Sequence, residues 1–378
     1  MAGPLQGLVV SELAGLGPAP FAGMVLADLG ARVIRVDRIG GGRLFPPSPN
    51  DILNRGRESI AVDLKAPGAV EVVHRLVAGS EALIEGFRPG VAERLGVGPA
   101  ECLARNSALV YGRMTGWGQD GPMASMAGHD IDYIAVSGAL HPVGTADDPI
   151  PPLNLVGDFG GGGMLLALGV VAAVLHARET GQGQVVDAAM VDGSALLTAS
   201  HHGLMADGWW EPRRASNLLD GAAPFYTTYR TSDGNHVAVG ALEPRFFSAL
   251  LEGLELTPAD VGPQNDRDRW PAMRDRFAER FATRTRDEWA AHFDGTDACV
   301  APVLSLAEAP THPHNLARET FREVDGAIQP GPAPRFSVTR PQLGRRPANP
   351  GDDTEAILVS LGYSKDEIGT LRSSGSVA

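Results

Sequence analysis

The sequence predicts an α/β protein whose larger domain is a doubly wound parallel sheet. Short apolar segments alternate with helical patterns from the N-terminus to about residue 115, and turns containing Gly and Pro separate them. This alternation is typical of βαβ units, whose parallel strands are covered by helices on both faces. With 378 residues, 43% of them hydrophobic, the chain is long and apolar enough to bury a large core.

The N-terminal third predicts a βαβ opening. An apolar run predicts a buried strand over 8–13, followed by a turn over 15–20, a helix over 21–29 and a second strand over 32–37. The same alternation then predicts strands over 59–64, 82–86 and 108–114 and helices over 66–78 and 90–95.

Beyond residue 115 the pattern becomes mixed. The pair Asp233-Gly234 between two β-type segments predicts a hairpin, which opens a smaller α+β unit that extends to about residue 300. Pro-rich segments after residue 306 predict extended connections. The other predicted elements are helices over 160–178, 192–207, 353–361 and 364–374, a strand over 183–189, and hairpin strands over 226–231 and 236–240.

Charge and cysteine content exclude several classes of protein. The formal net charge of −13 argues against a general nucleic-acid or membrane-surface binder. Residues 1–90 hold nine Lys or Arg and nine Asp or Glu, so an anionic ligand is expected to bind this neutral part of an acidic chain. Cys102 and Cys299 are far apart and lack metal-site spacing, so neither a zinc site nor a disulfide framework is predicted.

The sequence predicts a cytoplasmic location and no membrane partner. The first basic residue is Arg32, so no secretory signal is predicted. The longest apolar run, 164–175, is too short to span a bilayer, and the last residues match no peroxisomal or lipidation signal.

The segment from 127 to 163 holds the strongest candidate for a catalytic site. His129 lies between a glycine and an acidic residue, and Asp158 precedes four glycines, 160–163. A histidine and a carboxylate on turns beside apolar helices are suited to act as a pair of opposed acid and base. Backbone N–H groups at Asp158, Gly160 and Gly161 are predicted to form an oxyanion site at a helix N-terminus. The pattern therefore favours carbon-acid chemistry, although Asp158 alone is equally well explained as a helix N-cap.

Two further residues are candidates to support this pair. Asn154 lies one helical turn before Asp158, where its amide is expected to hydrogen-bond the carboxylate. Glu243, in the predicted small domain, is a candidate to orient His129.

A set of basic side chains follows the predicted strands. Because strand ends in a doubly wound sheet converge on the binding crevice, the set predicts a cradle for a phosphorylated ligand, although each residue alone fits a solvated charge. Gly15 and Gly17 with Asp37 imitate the start of a nicotinamide-binding motif, but Pro20 replaces its third glycine, so a tight turn is the better explanation. The basic set is Arg38, Arg55, Arg57, Lys65 and Arg88.

Taken together, these motifs resemble those of the family III CoA-transferase superfamily, in its α-methylacyl-CoA racemase branch. The resemblance covers essentially the whole chain. The most specific matches are Ala127-Gly-His-Asp-Ile-Asp132, Pro152-Leu-Asn-Leu-Val-Gly-Asp-Phe-Gly-Gly161 and Gly183-Gln-Val-Val-Asp-Ala-Ala-Met190, and Asn54-Arg-Gly-Arg57, Asp63-Leu-Lys65 and Glu85-Gly-Phe-Arg-Pro-Gly90 also match.

The resemblance implies a Rossmann-like large domain, a smaller domain and an interlocked homodimer. The domains expected from it are a large CoA-binding domain over 1–200 completed by helices in 330–378, a linker over 201–224, a small α+β domain over 225–305 and a return linker over 306–329. The basic residues named above would then hold CoA as part of the substrate, with no separate cofactor and no metal.

The resemblance also implies roles for the central residues. His129 and Asp158 would be the two bases of a racemase that interconverts (2R)- and (2S)-2-methylacyl-CoA through an enolate, with Glu243 paired to His129 and Asn154 supporting Asp158. In the transferase branch the matching Asp is instead a covalent nucleophile, which leaves a family III CoA-transferase as the alternative. That branch tends to have a glycine cluster where this chain has Val237 to Arg245, which favours the racemase. A nicotinamide dehydrogenase and a non-catalytic CoA-binding module are less favoured, and the physiological acyl group is not predicted.

Overall fold

The computed structural model describes residues 3–40 and 48–378, and its contacts divide the chain into two compact units. The large unit comprises Met1–Ala139, Pro152–Thr198 and Ala317–Ala378, and the small unit comprises Leu140–Pro151 and Ala199–Leu316. Residues 1, 2 and 41–47, which the predicted large domain includes, lie outside the described residues.

The large unit is built on a six-stranded sheet in the order β3-β2-β1-β4-β5-β6, and all five strand pairings are parallel. This confirms the predicted α/β fold with a doubly wound parallel sheet. The order reverses between β1 and β4, the place where ligands bind in such sheets. The strands are β1 (Val9–Leu13), β2 (Arg32–Arg38), β3 (Arg57–Val62), β4 (Ala82–Glu85), β5 (Val110–Thr115) and β6 (Gln184–Ala189).

Helices cover both faces of this sheet and form two apolar clusters with it. One cluster includes α2 and the C-terminal helices, and the other includes α1 and α6. The helices of the large unit are α1 (Pro18–Asp28), α2 (Ala69–Ala78), α3 (Val91–Arg94), α4 (Pro99–Arg105), α5 (Asp130–Val136), a π-helix over Leu155–Met164, α6 (Leu165–Thr180), α7 (Met190–Leu197), α14 (Thr354–Ser360) and α15 (Lys365–Ser373). Helix α13 (Pro313–Ala317) belongs to the small unit except for its last residue.

Two helices begin earlier than the sequence predicts. Helix α1 starts at Pro18 instead of residue 21, because proline is tolerated in a first helical turn, where its missing N–H is not needed. The helix predicted over 160–178 starts at Leu155 as a π-helical segment that continues into α6. This stretch, Leu155–Thr180, has 26 residues and is long and apolar enough to cross a bilayer. The length argument against a membrane span, made for residues 164–175, is therefore wrong, although Leu166, Val170 and Val174 pack in the core of the large unit.

The small unit has a three-stranded antiparallel sheet, β7-β8-β9, covered by helices. Its core is rich in aromatic side chains, including Phe225, Phe277 and Trp289. The predicted hairpin at Asp233-Gly234 joins β7 to β8. The elements are α8 (Ala199–Ala206), β7 (Tyr226–Arg230), β8 (His236–Gly240), α9 (Pro244–Gly253), α10 (Pro258–Val261), α11 (Trp270–Phe281), α12 (Arg286–Phe293) and β9 (Val300–Pro302).

The boundaries of the compact units do not all coincide with the predicted domain bounds. The predicted helix over 192–207 is two helices, because α7 ends at Leu197 and the chain leaves the large unit after Thr198. Residues 201–224 belong to the small unit, as does the excursion Leu140–Pro151, which was expected in the large domain. The guanidinium of Arg214 donates to three carbonyl groups of this excursion, those of His141, Thr145 and Asp147.

The C-terminal segment completes the large unit through polar and backbone contacts. Its start includes a hairpin of β10 (Phe321–Val324) and β11 (Ala327–Pro330), within a segment that was expected to be partly linker. Further on, Asp353 Oδ2 accepts a hydrogen bond from Ser59 N on β3, and Val377 bridges to Val62.

Candidate active site

His129 lies at the start of α5, as its N-cap, and its side chain is exposed. Its backbone N–H donates to Asp132 Oδ2 at 2.9 Å, and its carbonyl accepts from Asp132 N, so the first turn of the helix fixes the backbone of His129. The imidazole is thus presented to solvent from a rigid position.

Asp158 lies in the first turn of the π-helix and is half-buried. The amide Nδ2 of Asn154 donates to Asp158 Oδ2 at 3.0 Å, as the spacing in the sequence predicts. The turn between β1 and α1 borders the same carboxylate, because a Cβ added to Gly17 would lie 3.3 Å from Asp158 Oδ2. Asp158 therefore lies at the carboxyl end of the central strand, beside the point where the strand order reverses.

The segments that carry His129 and Asp158 contact each other, because the backbone N–H of Asp158 donates to Oδ2 of Asp130, the residue after His129. Burial raises the pKa of the Asp158 carboxyl, and the charge of Asp130 raises it further, whereas the hydrogen bond from Asn154 and the positive charge of His129 lower it. A raised carboxyl pKa suits a group that must act as an acid in one direction and as a base in the other.

Asp130 is a functional candidate that the sequence reasoning did not single out. Its side chain is only 7% exposed, and its Oδ2 accepts a hydrogen bond of 2.7 Å from the backbone N–H of Asp158. A Cβ on Gly157 would lie 2.6 Å from this oxygen, so glycine is required there for the contact. Two features of the sequence point to this contact: an acidic residue directly follows His129, and a glycine, Gly157, directly precedes Asp158.

Tyr133 and Trp117 form a wall beside these residues. Their rings meet edge to face with centroids 4.8 Å apart, and the Tyr133 hydroxyl donates to the carbonyl of Gly128. Burial raises the pKa of Tyr133 to about 12, with smaller contributions from the negative charges of Asp158 and Asp132. Tyr133 is thus a neutral donor that holds the loop before His129.

The four glycines have a different role from the predicted one. Gly160 and Gly161 lie five and six residues into the π-helix, so their N–H groups belong to its interior ladder and not to its N-terminus. The N–H of Asp158 is also occupied, by Asp130. The structure therefore contradicts the predicted oxyanion site at Asp158, Gly160 and Gly161.

Close helix packing explains the glycine run instead. A Cβ on Gly161 would lie 2.6 Å from Ser194 N in α7, and one on Gly163 would lie 2.5 Å from the carbonyl oxygen of Pro18 in α1. The sequence correctly indicates a close backbone contact at these glycines, but the contact is with neighbouring helices and not with a ligand.

Two arginines of the predicted basic cradle are structural. Arg57 is fully buried, forms an ion pair with Glu12 and donates to the carbonyl of Pro20. Arg55 is 3% exposed and is bound by Asp28 and Gln329. Neither guanidinium is available to a ligand, which corrects the prediction that these two residues hold CoA.

The other three basic residues fit a ligand-binding role. Arg38 ends β2, Lys65 follows β3 and Arg88 follows β4, so all three lie at the carboxyl edge of the sheet, and all are exposed. These side chains are positioned to meet an anion at the binding edge.

Glu243 lies in the small unit, where it is the N-cap of α9 and is exposed. Its side chain does not cap that helix, so the carboxylate is not committed to the helix N-terminus. Its pairing with His129 stays a prediction.

A Rossmann-like sheet with a His and an Asp at its carboxyl edge defines an α/β enzyme with an acid–base site. A family model for CoA-transferase family III matches residues 5–354, and the chain belongs to this family. It is 45% identical to the α-methylacyl-CoA racemase of Mus musculus and 46% identical to that of Homo sapiens, in each case over 98% of this chain and 96% of the relative. A crystal structure of a CaiB/BaiF family protein from Brucella suis matches with a TM-score of 0.82 at 26% identity, covering 96% of this chain and all of that one.

Proposed function

We propose that the protein is an α-methylacyl-CoA racemase, an isomerase that interconverts the (2R) and (2S) forms of 2-methylacyl-CoA thioesters. The observation that carries the proposal is the hydrogen bond that joins the backbone of the half-buried Asp158 to Asp130, the residue after His129, together with the burial that raises the pKa of the Asp158 carboxyl. The similarity to racemases over nearly the whole chain supports the same reaction.

The proposed mechanism is a 1,1-proton transfer at C2. For one enantiomer, ionised Asp158 removes the α-proton, and the C–H electron pair moves into the thioester to form an enolate. Protonated His129 then delivers a proton to the opposite face of C2. For the other enantiomer, neutral His129 removes the proton and neutral Asp158 delivers one.

Both directions pass through the same intermediate. In each case an imidazolium and a neutral carboxyl group flank the enolate, so the positive charge of His129 stabilises it. The raised pKa of Asp158 favours the neutral carboxyl that this state needs. This mechanism does not require the N–H groups of Gly160 and Gly161 to stabilise the enolate.

We assign recognition of the CoA phosphates to Arg38, Lys65 and Arg88, the exposed basic residues at the carboxyl edge. Arginine and lysine at this edge suit a phosphate-bearing ligand. CoA then enters as part of the substrate. The absence of a resident cofactor or metal and the cytoplasmic location remain predictions from the sequence.

A homodimer is part of the proposal. On α6 and the helix before it, the apolar side chains of Met164, Leu168 and Leu175 are 46%, 62% and 62% exposed, and Leu196 on α7 is 61% exposed. Strand β6, at the edge of the sheet, has Val185 42% exposed. Several exposed apolar side chains on these elements of the large unit favour burial against a second copy of the chain. Leu168→Asp should dissociate the dimer in light scattering, whereas Leu306→Asp, at a residue 91% exposed in the small unit, should not.

The direct test of the racemase is incubation of one enantiomer of a 2-methylacyl-CoA with the protein in D₂O, without an acceptor acid. Deuterium at C2 together with inversion is expected, and His129→Ala and Asp158→Ala should abolish inversion. The matched controls His314→Ala and Asp275→Asn, both at exposed positions, should leave it intact. An unchanged substrate that transfers CoA once a free acid is added would instead establish the transferase alternative, in which Asp158 forms an acyl intermediate that hydroxylamine traps.

A further inference from the structure

One buried carboxylate connects the backbones of the two proposed bases. Asp130 directly follows His129 in the sequence, and its Oδ2 accepts the 2.7 Å hydrogen bond from the backbone N–H of Asp158. This contact joins two segments that are 28 residues apart in the chain. Its other oxygen, Oδ1, is buried and has no hydrogen-bond partner among the described residues.

The surroundings of Asp130 indicate that the contact is built into the fold. Gly157 has no side chain where a Cβ would lie 2.6 Å from Oδ2 and 2.9 Å from Cγ of Asp130. Asp130 also starts α5, so its backbone is held by the same first turn that fixes His129. Burying a carboxylate with one oxygen unpartnered is costly, and stability alone does not explain it.

We infer that Asp130 is a positioning residue that sets the separation of His129 and Asp158 by tethering the backbone of the second base to the helix start of the first. The inference rests on the proposed racemase. Inversion requires that the two bases face C2 from opposite sides at a fixed spacing, and misplacement by about 1 Å costs up to about 100-fold in rate. The hydrogen bond holds the start of the helix that carries Asp158 against the start of the helix that follows His129.

The inference predicts a specific change in stereochemistry. When the spacing loosens, the base that removed the α-proton more often exchanges it with D₂O and returns a deuteron to the same face, because the second base is out of reach. Deuterium then enters C2 with retention. Asp130→Ala should therefore lower kcat for inversion by about 10- to 100-fold, leave KM within about twofold, and raise the ratio of exchange with retention to exchange with inversion.

Two further variants separate the tether from the charge. Asp130→Asn keeps one oxygen that can accept from Asp158 N–H, and its amide replaces an oxygen that is already unpartnered, so inversion should fall by less than about tenfold. Gly157→Ala places a methyl group against Oδ2 of Asp130 and should raise the ratio of retention to inversion as Asp130→Ala does. It therefore tests the inference even if the Asp130→Ala protein does not fold. The control is Asp353→Asn, which alters a carboxylate that likewise accepts a backbone N–H, from Ser59, at the β3 edge.

A pH profile gives a second readout that a purely structural role would not move. The groups that act on Asp158 are Asn154, Asp130 and His129, and Asp130 raises its pKa. In Asp130→Asn this contribution is lost. For the enantiomer that Asp158 deprotonates, the acidic limb of the pH profile of kcat/KM should therefore move to lower pH.

The outcomes are distinguishable from those of the proposed function. If wild-type protein shows neither exchange nor inversion, the racemase is wrong. If wild-type protein inverts the substrate and folded Asp130→Ala keeps the wild-type kcat and ratio of retention to inversion, the positioning role of Asp130 is refuted. An unchanged ratio in Gly157→Ala would refute it as well.

Discussion

Asn154 Nδ2 donates a hydrogen bond of 3.0 Å to Asp158 Oδ2, and this bond opposes the effect of burial on the carboxyl. Asn154 is exposed, and it lies just before the helix on which Asp158 is carried. Two opposing effects therefore act on the carboxyl of Asp158: its burial favours the neutral form, and the amide donor of Asn154 favours the ionised form.

We expect Asn154→Ala to raise the pKa of Asp158 further, because the lost hydrogen bond is one that lowers it. For the enantiomer that Asp158 deprotonates, the ionised carboxylate is required, so the acidic limb of kcat/KM should move to higher pH. The opposite enantiomer needs neutral Asp158, so its rate falls where Asp158 ionises. This basic limb of kcat/KM should also move to higher pH, and activity should persist to higher pH. Initial rates for each enantiomer between pH 4 and pH 9 test this expectation, and a limb that moves to lower pH would contradict it.

Substitution of Gly193 should destabilise the large unit strongly. A Cβ at this position would lie 1.8 Å from the carbonyl oxygen of Gly161, so α7 and the π-helix would have to separate. We expect Gly193→Ala to cost about 3 kcal/mol or more of unfolding free energy. The control is Gly369→Ala in α15, where a Cβ meets nothing within 4 Å and should stabilise by roughly 0.5–1 kcal/mol. Urea unfolding measures both, and equal midpoints for the two variants would refute the packing explanation.

Residue patterns in the sequence predicted the sheet because they depend on local properties. Apolar runs, turn residues and their spacing marked the six strands within a few residues, and the hairpin at Asp233-Gly234 appeared where its turn type requires it. The contact between Asn154 and Asp158 was predicted for the same reason, since the two residues are four apart.

Long-range contacts could not be predicted in this way. The pairing of Arg57 with Glu12 spans 45 residues, and nothing in a run of basic residues distinguishes a buried guanidinium from an exposed one. The glycine run was assigned to ligand binding because its cost to a helix demands a close neighbour, but only the structure shows that this neighbour is another helix. Asp130 was overlooked because its partner is a backbone N–H 28 residues away.

Arg214 should control the order of the excursion Leu140–Pro151. Its guanidinium donates to the carbonyl groups of His141, Thr145 and Asp147 at 3.0–3.1 Å. Among the described residues, Arg214→Ala leaves these carbonyls without a side-chain donor, and we expect limited proteolysis to cut the excursion faster, with little change in global stability. Arg213→Ala, which removes only an exposed ion pair with Glu211, is the control. Equal cleavage rates in the two variants would show that Arg214 does not hold the excursion.

The basic residues of the predicted cradle should divide into two groups that respond to different measurements. Arg57 is paired with Glu12 inside the protein, and both side chains are fully buried. Removing one partner of a buried pair leaves an uncompensated charge, so Arg57→Ala should lower the unfolding free energy by about 3–5 kcal/mol. Burial raises the pKa of Glu12, and Arg57 lowers it, so without Arg57 the remaining carboxyl is expected to take up a proton on folding. The stability of the variant should then fall as pH rises, because folding must keep that proton on Glu12.

Arg88 is exposed and should behave in the opposite way. Arg88→Ala is expected to leave thermal unfolding unchanged and to raise KM for the CoA thioester about two- to fivefold, the effect of losing roughly 0.5–1 kcal/mol of exposed charge interaction. High salt should reduce this difference, because it screens an exposed contact. Substrate kinetics at two ionic strengths, together with unfolding curves for both variants, test the division. If the Arg57→Ala protein folds with normal stability but has a raised KM, Arg57 would be a ligand-binding residue and not a structural one.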